Sequence, residues 1–530
     1  MSNVTGSATA STIASTVATT TAATNAALQQ AAQSIISGST GNSSMDVNSL
    51  VTALVNAKVA GQAAALTAQQ TADNTTISAY GTLSAGLSAL QAGLTSLSNG
   101  TTLNAFTATA TGNGITATAA SGAVAGTYSI DVSQVATAQV LTSTGYSATK
   151  ALASTASTLT VSVGGTSASI SLDNSNSTIA GIASAINSAS NNPGVTATVV
   201  NGTDGAHLVL HATATGSTNA ISIAVTDSNP NDDLNKLAVQ SNAGTSLSGV
   251  SKATSVQLAA NQSSLSPGTT NWSQTTAAQD AYFTIDGTAV TNSTNAVTSA
   301  LSGVTLNLTA ASVDPAAGTA SASPQTLAIA QDTTSQATAI NNFVNLYNTL
   351  VTTMGSLTSF SSTAKTQGPL LGDSTLNMIQ NTLSSVVASG VKSGGATASL
   401  EAIGISLQGD GTLSVDSTTL NSALQSNQAT VAKLFNSTNG IAAQLNSEIT
   451  SYLGTNGPIQ TRTNMLNSDL TSISTQQATL STYQAQLTSM YQAQFTALNT
   501  LMSTMNNNSQ YLTQLFGGTN SQGAMSANKG

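Results

Sequence analysis

The chain has 530 residues, too many for one hydrophobic core, so about three or four domains are expected. Charged residues make up 5% of it, against roughly 25% in an ordinary soluble protein, and the formal net charge is −9. Only nine residues are lysine or arginine, so no basic patch is available for phosphates, which argues against nucleic acid as a partner.

Composition also limits where the chain can act. It has no cysteine, so its stability must come from packing or assembly rather than from disulfides. No segment has the roughly 18 consecutive apolar residues of a membrane span, so membrane insertion is not expected. Residues 1–44 lack the basic and apolar regions of a Sec signal peptide and are predicted to be a disordered N-terminal extension.

The first ordered elements are predicted to be two leg helices within residues 45–102. Asp46 is a suitable N-cap for the first helix, which Gly61 interrupts weakly. The second helix, from about Leu66 to Leu97, has one apolar face. That face consists of Tyr80, Leu83, Leu87, Leu90, Leu94 and Leu97. We expect both helices to pair with the C-terminal end of the chain.

From Leu103 the apolar period changes from helical to two, which predicts strands. Residues 106–110 and 115–119 flank Gly112-Asn113-Gly114 and are predicted to form a β-hairpin.

The middle of the chain is predicted to contain three further domains. Residues 103–154 and 277–325 are assigned to a β-rich head domain. Residues 155–276 are assigned to an inserted α+β head domain, with two strands, a helix and three strands in order. Residues 326–440 are predicted to be a mixed helical and β domain at the base of the leg, in which Asp416 caps a helix.

The strongest pattern is a seven-residue apolar repeat in residues 441–516, the predicted C-terminal coiled-coil leg, followed by a disordered tail at 517–530. Its two rows are Leu466, Ile473, Leu480, Leu487, Gln494 and Leu501, and Leu470, Gln477, Gln484, Tyr491, Leu498 and Met505. A helix of about 55 residues is roughly 80 Å long. The predicted fold class is multidomain α+β, in which helices from both ends form a coiled-coil leg and β-rich head domains lie in the middle.

Three glutamines occupy core positions of this repeat, where leucine would bind more tightly. They are Gln477, Gln484 and Gln494. Polar residues at such positions lower stability while fixing register. One hypothesis is that they keep the leg contacts exchangeable during assembly. The alternative is that the helices are simply weak and partly solvated.

Motifs in the same order and spacing across roughly residues 45–516 make the chain resemble a known family, flagellar hook-associated protein 2, the filament-capping proteins of bacterial flagella. The matching segments are 45–51, 77–83, 125–132, 281–287, 303–306, 343–348, 371–374, 411–416 and 502–506. Residues 155–225, with Ile186-Asn187, resemble a module inserted in flagellins and their relatives.

The resemblance implies a structural protein without catalytic activity, cofactor or metal. Family members leave the cell unfolded through the flagellar export apparatus and form a homo-oligomeric ring, a pentamer in relatives, at the distal tip of the filament. There they promote folding and insertion of exported flagellin. The implied partners are further copies of the chain, flagellin, hook-associated junction proteins and an export chaperone, and the implied location is secreted and extracellular.

The expected oligomer and filament interface comprises residues of both leg segments. They are Leu466, Leu470, Ile473, Gln477, Leu480, Gln484, Leu487, Tyr491, Phe495, Leu498, Leu83, Leu87 and Leu90. For the aromatic and sulfur strip formed by Tyr491, Phe495 and Met502, packing within the chain is the default interpretation, and a docking surface for flagellin is the alternative.

Other candidate sites are weaker. His207 and His211 could hold zinc on a helix, but the strand-like sequence around them separates them by roughly 13 Å. Asp232-Asp233 is typical of a solvated turn rather than of a calcium site. Glutamate occurs only at Glu401 and Glu448, and no catalytic constellation is found.

Two other functions remain open at this point. One is a flagellin-like or hook–filament junction protein, which the resemblance of residues 282–416 to the cap disfavours. The other is a surface adhesin, since low-charge, threonine-rich β domains at a tip could bind host glycans, and that role could coexist with capping.

Overall fold

A computed structural model of the chain describes residues 47–112, 114–309, 324–363, 366–393, 396–436 and 439–516, together with Asn25, Ala26, Gln29, Ala32 and Gln33. Those five residues are helical and exposed, where the sequence predicts disorder. The remaining predictions for residues 1–44, the Asp46 cap and the tail at 517–530 lie outside the described residues.

The chain divides into two compact units, a head unit (Thr101–Ser335) and a terminal unit (the described residues up to Gly100 and from Gln336 onward). The helices are α1 (Val47–Ser98), α2 (Ile179–Ser188), α3 (Ser255–Ala260), α4 (Thr333–Leu357), α5 (Ser374–Ser389), α6 (Ser417–Ser426), α7 (Gln428–Asn436), α8 (Ile441–Leu453) and α9 (Pro458–Phe516), with 3-10 turns at Asp233–Leu237 and Leu400–Ile403.

The strands of the head unit are β1 (Phe106–Thr111), β2 (Ile115–Ala119), β3 (Gly126–Gln134), β4 (Val140–Ser143), β5 (Ser157–Val163), β6 (Thr166–Leu172), β7 (Val195–Gly202), β8 (Gly205–Ala212), β9 (Ile221–Thr226), β10 (Ser241–Asn242), β11 (Ser264–Leu265), β12 (Trp272–Thr276), β13 (Ala281–Ile285), β14 (Thr288–Asn292), β15 (Ala296–Leu301), β16 (Val304–Leu308) and β17 (Gln325–Gln331). Those of the terminal unit are β18 (Phe360–Ser361), β19 (Thr366–Gln367), β20 (Val391–Ser393), β21 (Ala396–Ala398), β22 (Ile405–Leu407) and β23 (Leu413–Val415).

In the terminal unit, α1 is one continuous helix of 52 residues, so the prediction of two separate helices is wrong. Glycine inside a helix costs only about 1 kcal/mol relative to alanine. The buried residues Val59 and Leu66 on either side of Gly61 outweigh that cost by packing against a neighbouring helix.

The C-terminal half of α1 lies in the core of the terminal unit. Its glycines let other helices approach closely, because a Cβ added at Gly93 would lie 2.4 Å from Cδ1 of Leu346 on α4. Gln91 on the same half donates to Thr450 Oγ1 on α8 at 2.8 Å. Nearby, the side chain of Asp416 accepts from the backbone amides of Thr418 and Thr419, which confirms the predicted cap of α6.

The first module of the head unit has two antiparallel sheets around one core, in the orders β1-β17-β3-β13-β14 and β15-β16-β2. The predicted hairpin is therefore wrong, because β1 pairs with β17 and β2 pairs with β16. These pairings bury Ile115, Leu306 and Leu327 in the shared core. Burial of these side chains stabilises the fold more than a local turn does.

The second module has sheets in the orders β12-β4-β8-β7 and β6-β5-β9, with α2 packed on them around a separate core. The strand β4 belongs here, although the sequence assigns it to the first β-rich domain, because Leu141 is completely buried among residues of this core. An alternating pattern identifies a strand but not the sheet that it joins.

Candidate assembly surface

The helices α1 and α9 pack as an antiparallel pair. Gln477 Nε2 on α9 donates to Gln70 Oε1 on α1 at 3.2 Å, and further along the pair Asp73 lies beside Asp469. The buried residues of the shared core are Val51, Val55, Val59, Leu66, Ile473, Leu480 and Leu487, with Val47, Tyr491 and Phe495 partly buried beside them. The seven-residue repeat therefore contributes to a seam within one chain.

The predicted interface residues fall into three groups by burial. Leu466, Ile473, Leu480 and Leu487 are buried, and Leu470, Gln477, Gln484, Tyr491 and Phe495 are partly buried. Leu498 is 43% exposed. Leu83, Leu87 and Leu90 have no exposed surface, so their assignment to an outward interface is wrong. An apolar helix face needs a partner, and for these three leucines the partners lie inside the terminal unit.

The three glutamines also differ from one another. Gln477 and Gln484 are half-buried along the seam, whereas Gln494 is exposed. The placement of Gln494 in the core is therefore wrong. The described part of α1 begins at Val47, opposite this region of α9. The seven-residue repeat of α9 therefore extends beyond the described residues of α1.

Beyond Phe495, α9 carries an exposed apolar row that we call the distal stripe. It consists of Leu498, Leu501, Met505, Leu512 and Leu515, which are 43–64% exposed. The row spans about 25 Å of helix. Sequence reasoning stopped at Met505 and missed Leu512 and Leu515, although both continue the seven-residue spacing past the polar residue Asn508.

A small charged cluster lies where α1, α5 and α9 meet. Arg462, the only arginine of the chain, places its Nε 3.8 Å from Oδ2 of Asp373, whose carboxylate also caps α5. Burial, and to a lesser degree Asp469, raises the pKa of the Asp73 carboxyl, which Arg462 partly offsets. Burial likewise raises the pKa of the Tyr80 phenol. Arg462 and Asp373 therefore form an ion pair between α9 and the start of α5, and Asp73 and Tyr80 of α1 lie close to it.

One described helix, α1, is long and apolar enough to cross a membrane by length and composition alone. Thirteen of its residues are buried against other helices of the terminal unit, however, including Leu50, Leu83 and Leu97. Packing within the chain therefore accounts for these thirteen residues.

The other candidate sites are occupied by ordinary structural contacts. Asp233 pairs with Lys150 and Lys236 at 2.6 and 2.7 Å, which lowers the pKa of its carboxyl. Asp232 accepts from the Ser154 backbone amide at 2.6 Å. Over the part of the chain that the structure describes, no group of three or more His, Cys, Asp or Glu residues could hold a metal ion.

His207 fastens the β7–β8 hairpin to β4. Its Nδ1 lies 2.7 Å from the Ser143 carbonyl oxygen and its Nε2 lies 2.8 Å from Asp204 Oδ1. Both neighbours are acceptors, so the imidazolium, with a proton on each nitrogen, satisfies both. The Ser143 carbonyl, followed by the Asp204 carboxylate, accordingly raises the pKa of His207 above 6.5.

This arrangement predicts a pH-dependent contribution to stability. Because the folded-state pKa lies above 6.5, the contribution is complete below pH 6.5 and is lost as pH rises through the folded-state value. Relative to His207→Gln, wild-type protein should lose about 1–2 °C of melting temperature between pH 6 and pH 9. His211→Gln, on the same strand, is the control and should keep the wild-type pH dependence. An identical pH dependence in wild type and His207→Gln would contradict the prediction.

Family models match most of the chain. Residues 43–139 match the N-terminus of flagellar hook-associated protein 2, and residues 278–507 match its C-terminus. Residues 158–214 match the flagellin hook IN motif.

Individual relatives show the same similarity. Flagellar hook-associated protein 2 of Escherichia coli K12 is 36% identical over 456 residues, which cover 83% of this chain and 89% of the relative. The B-type flagellar hook-associated protein 2 of Pseudomonas aeruginosa is 30% identical over 428 residues, which cover 78% and 83%. The crystal structure of the D1-D2-D3 domains of the E. coli flagellar cap protein FliD matches with a TM-score of 0.59 and 33% identity, over 73% of this chain and 99% of that chain.

Proposed function

The chain belongs to the flagellar hook-associated protein 2 family and is a flagellar filament cap protein, and we propose that it guides exported flagellin into the filament from the distal tip. In this role it would promote folding and insertion of flagellin beneath the cap and prevent its loss to the medium. Its partners would be further copies of the chain, flagellin and hook-associated junction proteins.

The distal stripe is the observation that carries this proposal. Apolar residues at regular helical spacing, more than 40% exposed, contribute little to the fold of the chain itself. Helical partners with a matching apolar face would bury them through knobs-into-holes packing. We therefore assign the stripe, rather than the seam that α1 already covers, to contacts with filament and cap subunits.

The oligomer is proposed to be a homo-oligomeric ring, for which the family resemblance implies a pentamer. Sedimentation velocity of the purified chain gives the number of subunits. A ring at the filament tip also implies that the protein is secreted and extracellular. Export through a narrow channel requires an unfolded chain, and the absence of cysteine is compatible with that passage. An export chaperone would shield the apolar C-terminal helix before export.

Adhesion is a second proposed role, supported by one feature of the head unit. A depression of about 340 Å³ is lined by the polar residues Gln240, Thr269, Thr270 and Asn271. Amides and hydroxyls are groups that hydrogen-bond sugars, so host glycans fit the site chemically. Glycan binding by the full chain, compared with Thr270→Trp, which fills the depression, separates adhesion from capping.

Deletion of the gene for this chain tests the capping role. Mutant cells should carry hooks without filaments and release flagellin into the culture supernatant, because export continues while polymerisation fails. Electron microscopy and immunoblotting of the supernatant measure both effects. Reintroduction of the wild-type gene should restore filaments, and filaments of normal length on the deletion strain would overturn the proposal.

A further inference from the structure

The segment that matches the flagellin hook IN motif contains the dipeptide Ile186-Asn187 in the last turn of α2. Ile186 is buried in the core of the second head module. Asn187 makes two hydrogen bonds with one residue of β7. Its Nδ2 donates to the Ala197 carbonyl oxygen at 2.7 Å, and its Oδ1 accepts from the Ala197 amide at 2.8 Å.

A second asparagine makes the same pair of hydrogen bonds two residues earlier on the same strand. Nδ2 of Asn192 donates to the Val195 carbonyl oxygen at 2.8 Å, and its Oδ1 accepts from the Val195 amide at 2.8 Å. The same side chain also donates to the Ile186 carbonyl oxygen, which ties the loop to the end of α2. Two amide side chains therefore satisfy both backbone groups of Val195 and of Ala197.

These contacts lie on the open edge of a sheet. The strand β7 ends the order β12-β4-β8-β7 and pairs only with β8 within that sheet. In an antiparallel ladder, alternate residues direct both backbone groups away from the partner strand. Val195 and Ala197 are two such residues, so the two asparagines occupy the positions that an added strand would take.

We propose that Asn187 and Asn192 form an edge guard that prevents β7 from pairing with a strand of another molecule. An exposed edge strand is a template for such pairing. A side-chain amide carries one donor and one acceptor, as a peptide group does, so it saturates the edge without extending the sheet. The Asn187 side chain thus takes the place of the peptide group of a neighbouring strand. The buried Ile186 side chain holds the last turn of α2, which carries Asn187, against the core.

Hydrogen exchange of the full chain, followed at single amides, tests the proposal. In Asn187→Leu, which keeps the side-chain size, the Ala197 amide should exchange at least about tenfold faster, because its partner is gone. The Thr198 amide, which faces β8, should keep its wild-type rate. Equal acceleration at Ala197 and Thr198 would show that Asn187 stabilises the whole module instead, and would overturn the proposal.

Self-association supplies the second readout. Asn187→Leu should form species larger than those of wild-type protein in sedimentation velocity at equal concentration. The matched control is Asn191→Leu, because Asn191 is a near neighbour whose only described side-chain bond, to the Ser167 carbonyl oxygen, is 3.5 Å long and does not involve β7. Association of the control to the same extent, or none in Asn187→Leu, would overturn the proposal.

Discussion

Replacement of Leu501, Met505 and Leu512 by glutamine will abolish filament growth while leaving the chain folded. The three side chains are 54–64% exposed, and exposed substitutions usually change the free energy of unfolding by less than about 0.5 kcal/mol. Glutamine also keeps the helix propensity of leucine and methionine. In a buried interface, each lost side chain costs about 2 kcal/mol, so loss of all three should weaken docking by about ten-thousandfold or more.

The matched control changes three residues on the opposite face of the same helical segment: Thr500→Gln, Ser503→Gln and Asn507→Gln. All three positions are exposed. Filament length by electron microscopy, flagellin in the supernatant and thermal unfolding should be those of wild type in the control. Filaments of normal length in the distal-stripe variant, or the same loss in the control, would remove the stripe from the proposed mechanism.

Local patterns in the sequence predicted individual elements well. The seven-residue repeat identified α9, and Asp416 was correctly placed as a helix cap because capping depends on neighbours two or three residues away. The partners of elements were harder to predict. The glycine-rich turn at 112–114 favoured a hairpin, yet each flanking strand pairs with one about 190 to 220 residues later. Burial of a shared core decided between these pairings, and burial depends on the whole chain.

The same limitation applies to the candidate surface. A helical apolar stripe in the sequence indicates a helix face that needs a partner, but it does not identify that partner. Leu87 and Leu501 both continue such stripes, yet one is fully buried in the terminal unit and the other is mostly exposed. The asparagine contacts to β7 were likewise beyond sequence reasoning, because Asn187 and Ala197 are brought together only by the packing of α2 on the sheet.

Substitution of the seam glutamines by leucine should stiffen the α1–α9 pair and stall filament growth. The variant combines Gln477→Leu and Gln484→Leu with Gln70→Leu, because the Gln70 amide would otherwise lose its partner. Half-buried glutamines stabilise a seam less than leucines do, so the pair should gain about 1–3 kcal/mol. If the α1–α9 pair must open and close within each chain as each flagellin is added, that gain slows each cycle by about 5- to 150-fold.

The control is Gln486→Leu, which adds a leucine at an exposed position of α9 that faces away from the seam and should leave growth unchanged. Chemical denaturation measures the stiffening, and time-resolved filament length measures growth. A more stable α1–α9 pair with normal growth would mean that opening of this seam is not a step in filament growth. The glutamines would then only weaken the seam. Slower growth in the seam variant alone would place the exchanging contact at the α1–α9 pair, because the distal stripe is identical in both proteins.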